Sequence, residues 1–267
     1  MKKQLLFVLF LLSGTLNLVA QDRIFNYTYQ SNVLNKGQKE LEVWTTVLSG
    51  KGDYFRQIKN RVEYEVGLGS NLQTSFYLNS KQKAEFDAIT GEIVMSAAEI
   101  SVSNEWKYKF SDPVADKIGF AGYAEFTIAT DELEIELKAI FDKTIGRTTH
   151  AANITFEPEW ETTTRNGKVA TNTAYKYDFN YGLSYNINKN WNLGGEIINR
   201  NVYSKEEKFT NSALFAGPTL SYNMNKFWIN LSVSPQVAGL KNPIEMKGLN
   251  VEEFTKMDAR LIFSYAF

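Results

Sequence analysis

The sequence predicts an all-β protein, a transmembrane antiparallel up-and-down β-barrel of about twelve strands. Three observations lead to this fold class. A basic and apolar leader opens the chain, segments of alternating apolar and polar residues fill the rest, and aromatic residues make up 14% of the 267 residues. An aromatic-rich, strand-prone chain behind an export signal fits either a secreted β-sandwich or a membrane barrel. The periodicity and the connections decide between them.

The leader has the three parts of a secretory signal peptide. Lys2 and Lys3 precede an apolar run from Leu5 to Leu12, and the small residue Ala20 closes a short polar stretch. This apolar run is too short to cross a bilayer as a helix, which takes about 20 residues. We therefore predict that residues 1–20 are a signal peptide cleaved near Ala20.

The alternating segments have the length that a tilted membrane strand needs, about 9–11 residues. The clearest runs over residues 99–110, where Ile100, Val102, Trp106 and Phe110 alternate with Glu, Ser and Lys. The pattern recurs to give twelve predicted strands, near residues 39–48, 55–68, 72–79, 99–110, 118–128, 132–142, 153–161, 175–185, 191–200, 214–223, 227–236 and 256–267.

The connections alternate between two kinds. Those near residues 69–71, 111–117, 143–148, 186–190 and 223–225 are short, whereas those near 80–97, 162–171, 201–211 and 238–253 are longer and polar. Short periplasmic turns and longer external loops are the plan of a membrane barrel, and a sandwich has no reason to show it. The link at 130–131 departs from this plan because it is as short as a hairpin. We predict a barrel over residues 40–267, preceded by a short periplasmic segment at 21–39.

Aromatic residues on the apolar parity support the same arrangement. Trp and Tyr favour a membrane–water boundary, where the ring is half buried and its polar tip stays hydrated. One group falls at the predicted periplasmic strand ends: Trp106, Tyr108, Phe110, Phe120, Phe141, Tyr185, Trp191, Tyr222, Phe227, Tyr265 and Phe267.

The last strand ends with Leu261, Phe263, Tyr265 and Phe267 at every second position. This ending resembles the C-terminal assembly signal of Gram-negative outer-membrane barrels. The segments Glu40–Trp44 and Val62–Leu68 are similar to the start of uncharacterised porin-like barrel families. The resemblance implies recognition by the barrel-assembly machinery, insertion into outer-membrane lipid and location in the cell outer membrane. It implies no particular substrate.

The polar parity predicts a charged lumen. Acidic residues outnumber basic ones, and the predicted lining comprises Glu63, Glu65, Glu105, Lys107, Glu125, Glu134, Glu136, Glu157, Glu159, Asp178, Glu196, Arg200, Asp258 and Arg260. One interpretation is a porin-like channel for passive passage of small solutes through an acidic lumen. The alternative is a closed barrel, filled by cross-strand ion pairs, with a structural or ligand- and partner-binding role through its external loops.

The sequence indicates no catalytic, cofactor or metal site. The ladders Glu132–Glu136 and Glu157–Glu161 could bind Ca²⁺ or serve a glycosidase, but strand repeats of Glu more often form a salt-bridged wall. His150, the single histidine, faces lipid by parity. It resembles the outward-facing His of an outer-membrane phospholipase, but its strand offers no Ser nucleophile. We expect no enzyme, and a net charge of −1 favours no nucleic-acid partner.

Overall fold

The computed structural model describes residues 23–165, 167–204, 208–242 and 248–267, so the predicted signal peptide lies outside the described residues. Twelve long antiparallel strands form a closed barrel, and a short extra strand, β4, extends one hairpin. The strands are β1 Lys39–Ser49, β2 Phe55–Gly69, β3 Leu72–Asp87, β4 Glu92–Met95, β5 Glu99–Ser111, β6 Gly119–Ile128, β7 Glu132–Ile145, β8 Thr148–Arg165, β9 Lys168–Asn186, β10 Trp191–Ser204, β11 Lys208–Met224, β12 Phe227–Lys241 and β13 Met257–Ala266.

The barrel closes where the first strand meets the last. β1 pairs antiparallel with β13, with Glu40 opposite Ala266 and Val43 opposite Phe263. Every other barrel strand pairs with its neighbours in sequence, except that β3 pairs with β5 because β4 is only a short hairpin arm on β3. The predicted fold class and strand number are confirmed. No helix among the described residues is long and apolar enough to cross a membrane.

The alternation predicted from the sequence separates two surfaces. On β3 the outward side chains Phe76 and Leu78 are 55% and 54% exposed, whereas the inward Ser75 and Tyr77 are buried. On β13 the outward Leu261 and Phe263 are exposed, and the inward Ile262 is buried. The outside of the barrel is therefore apolar while polar side chains point inward. A continuous apolar surface of this size is unfavourable in water and favourable in contact with lipid chains. The outer face of the barrel therefore suits a membrane.

We call the two ends of the barrel the turn end and the loop end. The turn end carries the connections at residues 70–71, 112–118, 146–147, 187–190 and 225–226. In one of these turns the Asp112 carboxylate accepts the backbone N–H groups of Val114 and Ala115, which lower the pKa of Asp112. Both chain ends of the barrel, Lys39 and Ala266, also lie at the turn end.

Three of the predicted long loops are largely strand. In the one predicted at 80–97, β3 continues to Asp87 and β4 occupies Glu92–Met95. β8 and β9 continue their pairing to residues 165 and 168, and β10 and β11 continue to residues 204 and 208. The predicted loops at 162–171 and 201–211 are therefore much shorter in the structure. The stretch from Thr162 to Thr164 is β-branched and the partner strand is already aligned, so the ladder continues beyond the membrane-spanning length. At 19 residues, β9 is longer than the roughly 9–11 residues that a bilayer requires.

Aromatic side chains contact one another around the outside of the turn end. Tyr108, Phe110, Phe120 and Phe141 form a continuous row, with ring centroids 4.8–5.0 Å apart. A second row follows the barrel wall through Trp191, Tyr222, Phe227 and Phe263, with centroids 4.6–6.3 Å apart. Rings at this level form the band expected at a membrane boundary.

Candidate functional site: the barrel lumen

Residues 23–34, which we call the plug, lie inside the turn-end half of the barrel. Ile24, Phe25 and Tyr27 are buried, and Phe25 has no exposed surface. Of the short periplasmic segment predicted at residues 21–39, residues 23–34 lie within the barrel. Twelve strands enclose more space than their own side chains fill, since eight strands are already filled by them. The plug occupies that space.

One carboxylate holds the bend of the plug. Glu196 on β10 is 2% exposed, and its Oε2 accepts the backbone N–H of Asn26 at 3.0 Å. Its Oε1 accepts the N–H groups of Tyr27 at 2.8 Å and Thr28 at 2.6 Å. Three consecutive N–H groups converging on one anion form a nest, and hydrogen bonds to a charged acceptor are among the strong ones.

Amide side chains of the wall supply further backbone partners. Asn153 on β8 accepts the N–H of Tyr29 at 2.5 Å and donates to the Tyr29 carbonyl at 2.9 Å. Asn180 on β9 donates to the Tyr27 carbonyl at 3.1 Å, and Gln73 on β3 accepts the N–H of Leu34 at 2.8 Å. The plug is not paired as a strand, so these side chains satisfy backbone groups that burial would otherwise leave unpaired.

Two arginines hold the plug through backbone carbonyls and aromatic faces. Arg260 on β13 donates to the Asn26 carbonyl at 3.0 Å, and its guanidinium carbon lies 4.0 Å from the centroid of the Tyr27 ring. Arg23, within the plug, folds back over the ring of Tyr29 at 4.0 Å and over Trp44 at 4.5 Å. Cation–π contacts of this kind are strongest where water is excluded.

A glycine on β9 makes room for the largest fully buried side chain of the plug, Phe25. A Cβ at Gly182 would lie 2.8 Å from the Cδ1 and Cε1 atoms of Phe25, closer than carbon atoms normally approach. Phe25 also packs in a buried cluster with Ile24 and Ala151. Small inward residues in the middle of a strand mark such a close approach.

The plug takes part in all four buried apolar clusters of the described residues. Ile24 and Phe25 belong to one and Tyr27 to a second, while Tyr29 packs against the other two. The wall contributes the rest: Trp44, Ala121, Tyr123, Ile140, Ala151, Ile198, Ala213, Phe215, Trp228, Ile262 and Ala266. Removing the plug would therefore open every apolar cluster inside the barrel.

Residues 248–256, which precede β13, also fold inward from the loop end. Asn250 has no exposed surface, and its backbone N–H donates to Gln236 Oε1 at 2.5 Å. Gln236 Nε2 donates to the carbonyls of Asn250 and Thr255 at 3.0 and 3.1 Å. Phe254 then reaches the cluster that contains Tyr27. The loop narrows the barrel above the plug.

Between the plug and the loop end lies a cavity of about 750 Å³, which we call the vestibule. Its floor includes Tyr27 and Tyr29 of the plug. Eleven acidic and nine basic side chains of the described residues line it: Glu99, Glu125, Glu132, Glu134, Glu136, Glu157, Glu159, Glu161, Asp178, Glu253 and Asp258, with Lys51, Lys59, Arg61, Lys81, Lys83, Lys138, Lys176, Arg200 and Arg260. The vestibule is close to charge balance.

The charges of the vestibule are arranged in two walls that are joined by ion pairs. β7 and β8 carry the two glutamate ladders, whereas β2 and β3 carry four of the nine basic side chains, Lys59, Arg61, Lys81 and Lys83. Lys176 contacts Glu157 at 2.7 Å and also pairs with Glu159. Further pairs are Lys81–Glu132 at 3.2 Å, Arg61–Glu125 at 3.1 Å, Lys138–Glu136 at 2.8 Å and Arg200–Asp258 at 2.7 Å.

The structure places the fourteen predicted lining residues on the inner face, at two levels. Beside the plug lie Glu63, Glu65, Glu105, Lys107 and Glu196, all buried. Around the vestibule lie Glu125, Glu134, Glu136, Glu157, Glu159, Asp178, Arg200, Asp258 and Arg260. The two groups have different surroundings, because the first faces the plug and the second borders open space, with Arg260 in contact with both.

Sequence reasoning missed the residues that receive the plug. Asn153, Asn180 and Gln73 read as ordinary polar positions, and Gly182 and Ala151 as small ones. A signal was nevertheless present, because these short inward residues cluster on the turn-end halves of their strands. The plug sequence, Ile24-Phe25-Asn26-Tyr27-Thr28-Tyr29, is also too aromatic for a solvated linker.

His150 lies on the outer face of β8. Its Nδ1 is 2.8 Å from the hydroxyl oxygen of Tyr181 on β9, and the two rings are tilted against each other. Register places Leu183 directly opposite. The histidine therefore has an aromatic partner at the lipid face.

Comparison with known proteins assigns the chain to a family. The model of DUF6662, a family of unknown function, matches residues 17–267. The chain belongs to DUF6662. No curated protein matches this DUF6662 member in sequence.

Solved structures similar to this DUF6662 chain are outer-membrane barrels. The COG4313 outer membrane channel from Pseudomonas putida F1 aligns with a TM-score of 0.60 at 10% identity, covering 92% of this chain and 100% of that one. The translocator domain of the autotransporter NalP from Neisseria meningitidis gives 0.55 at 10%, with 89% and 91% covered. The NanC porin gives 0.53 at 11%, with 84% and 98% covered. At these identities the likeness establishes the porin-type barrel fold.

Proposed function

We propose that this protein is an outer-membrane channel of the porin type that its own N-terminal plug closes at the turn end. One observation carries the proposal: the plug fills the turn-end half of the lumen, while the loop-end half remains an open cavity of about 750 Å³. A barrel built only for structure has no need of an open charged vestibule above a separate closing element. Small solutes pass when the plug is displaced.

The plug is suited to move as a unit. It continues into residues 35–38, which run along the rim, where Gly37 N–H donates to the Gly67 carbonyl at 2.8 Å and Gly67 N–H to the Gln38 carbonyl at 3.0 Å. Gly37 has φ of +80°, a conformation that favours glycine. Rotation about this point would withdraw the plug towards the turn end and leave β1 in place.

The composition of the vestibule supports passage of small polar solutes carrying either charge. Acidic and basic walls face the same space, and most carboxylates there have a cationic partner. Charged rings set the selectivity of pores, so the slight acidic excess favours cations modestly. We place the turn end in the periplasm, as short turns indicate. The route we propose is export by residues 1–20, then insertion through the C-terminal residues Leu261, Phe263, Tyr265 and Phe267.

Planar-bilayer recordings test the channel. The full mature protein is compared with a variant that lacks residues 23–34, and both are checked for a heat-modifiable electrophoretic band, which reports a folded barrel. We expect rare, brief openings from the intact protein and steady conductance from the variant. A folded variant that shows no conductance at any salt concentration refutes the proposal.

A second candidate function is a closed barrel that binds a ligand or partner at its loop end. The observation that favours it is the number of hydrogen bonds on the plug, from Glu196, Asn153, Asn180 and Arg260. This candidate expects silence from both proteins in bilayers. Trimming residues 88–91 or 248–256 then removes partner capture, and unchanged capture argues against it.

A further inference from the structure

We propose that Glu42, Glu63 and Glu65 bind a divalent cation of the calcium type inside the barrel, beside the plug. The three side chains project inward from the neighbouring strands β1 and β2 and are 3%, 1% and 5% exposed. One carboxylate oxygen from each lies within 4.8 Å of the others. Ca²⁺ takes oxygen ligands at about 2.3–2.6 Å, so two ligands of one ion stand up to about 5 Å apart.

The charge around these carboxylates is unbalanced. Glu105 adds a fourth buried carboxylate; Arg23 and Lys107 border the same small cavity, while the nearby Arg61 pairs with Glu125. Arg23 directs its Nε and Nη2 donors to the carbonyls of Phe25 and Asn26. A buried carboxylate that stays ionised needs a partner or a metal. A divalent ion supplies the missing charge.

A separate group points to a ligand at the same place. Ser75 on β3 is 0% exposed, and its Oγ has no hydrogen-bond partner among the described residues. Register puts Ser75 directly opposite Glu65 on one side and Glu105 on the other. Glu63 Oε2 is likewise buried without a partner. Buried polar atoms are rarely left unsatisfied, and a cation at this position would satisfy both oxygens.

Space and further oxygen ligands are present. A cavity of about 10 Å³ borders Glu42 and Glu65, together with the amide side chains of Gln30 and Asn32 from the plug. That volume is about one water-sized sphere. Trp44 Nε1 donates to Glu42 Oε2 at 2.6 Å and Gln73 Nε2 to Glu65 Oε2 at 2.9 Å. These bonds orient the carboxylates, and each carboxylate retains acceptor sites for a cation.

The vestibule offers a matched comparison. Glu132, Glu134 and Glu159 also bring carboxylate oxygens within 4.8 Å of one another. They are only partly buried, and Lys81 and Lys176 pair with Glu132 and Glu159. Lysine therefore supplies the positive charge here, and no ion is needed. Glu134→Gln serves as the control for Glu63→Gln.

Terbium luminescence tests the site, because Tb³⁺ replaces Ca²⁺ and an indole within a few ångströms sensitises its emission. The full mature protein, Glu63→Gln and Glu134→Gln are folded from urea into detergent in the presence of Tb³⁺, and Trp is excited. Heat-modifiable mobility verifies the barrel. We expect emission from the wild type that Ca²⁺ displaces, the same from Glu134→Gln, and loss from Glu63→Gln. Calorimetric titration with Ca²⁺ should show affinity at least about tenfold weaker in Glu63→Gln, about 1.4 kcal/mol.

Three results overturn the site: no Trp-sensitised emission from the folded wild type, emission equal in all three proteins, or emission lost in Glu134→Gln alone. The first means that protons neutralise the three carboxylates. The inference does not depend on whether the barrel conducts, because the readout is ion binding in detergent.

Discussion

The two halves of the lumen differ in what occupies the space inside the wall. In the turn-end half β6, β8 and β9 present short or neutral side chains, such as Ala121, Ala151, Gly182 and Asn153, and a peptide segment fills the space beside them and faces buried carboxylates such as Glu196. In the loop-end half the wall presents long charged side chains, such as Glu157, and the space stays open. Short inward side chains on three strands therefore make room for the plug.

The halves also differ in how polar groups are satisfied. Beside the plug, wall side chains bond to the backbone of residues 26–29, whereas around the vestibule lysines and arginines bond to carboxylates. Partly exposed ion pairs contribute little to stability, but a buried carboxylate that accepts three N–H groups contributes substantially. Substitutions should therefore affect the two halves very unequally.

The largest effect is expected from Glu196→Ala. It leaves three buried N–H groups without an acceptor, which costs roughly 1–3 kcal/mol for each unsatisfied group before relaxation. The chain has no cysteine, so Thr28→Cys supplies a single buried thiol whose maleimide labelling reports plug release. We expect labelling at least about 100-fold faster with Glu196→Ala, corresponding to about 2.8 kcal/mol.

Glu196→Gln is the matched control, since its amide keeps one acceptor oxygen, and we expect an intermediate labelling rate. If Glu196→Ala labelled no faster than its Thr28→Cys parent while the barrel remained folded, the carboxylate would not be the anchor of the plug.

A smaller effect is expected from Gly182→Ala. The new methyl group would lie 2.8 Å from the Phe25 ring, so either the ring or the strand must shift. Overpacking of this kind costs about 1–3 kcal/mol, and labelling of Thr28→Cys should rise about 5- to 100-fold. The control is Gly122→Ala, where the nearest atom is 3.3 Å away on the side chain of Phe110. Equal labelling of the two variants would contradict close packing of Phe25.

Lys176→Gln should change the vestibule and leave the plug alone. Glu157 and Glu159 lose their cation, so the vestibule becomes more negative. Two unit charges about 4 Å apart in water interact by about 1 kcal/mol. An energy of that size corresponds to a rise of up to about fivefold in the cation-to-anion permeability ratio. The reversal potential in a salt gradient measures this ratio in the variant lacking residues 23–34. A shift towards anions would contradict the assignment. In the full mature protein carrying Thr28→Cys, Lys176→Gln should leave the labelling rate unchanged.

The smallest effect is expected at the rim, from Lys83→Ala. Lys83 and Glu85 lie 2.9 Å apart, and their side chains are 39% and 47% exposed. Exposed pairs contribute about 0.2–1 kcal/mol, so the free energy of unfolding by urea in detergent should fall by less than about 1 kcal/mol. A larger loss of unfolding free energy would mean that the Lys83–Glu85 pair stabilises the barrel more than an exposed ion pair should.

The alternation of apolar and polar residues predicts the barrel wall from the sequence alone. Alternation such as that of Val62 and Tyr64 with Glu63 and Glu65 assigns each side chain to lipid or lumen, because a strand has a strict period of two. Loop lengths were less predictable. The residues around Thr162 carry polar side chains on both faces once the strand leaves the membrane, so the pattern resembles a loop although the pairing continues.

The sequence by itself determined the barrel, its strand number and the inner and outer face of each strand. Lipid and water impose those features residue by residue, and each strand therefore records them locally. Only the tertiary structure decided that residues 23–34 enter the lumen, that Glu196 holds their backbone, and that Glu42, Glu63 and Glu65 meet beside them. These contacts join positions far apart in the chain, such as Thr28 and Glu196, 168 residues apart. No local pattern encodes a distance across a closed barrel, because that distance exists only when the first strand has paired with the last.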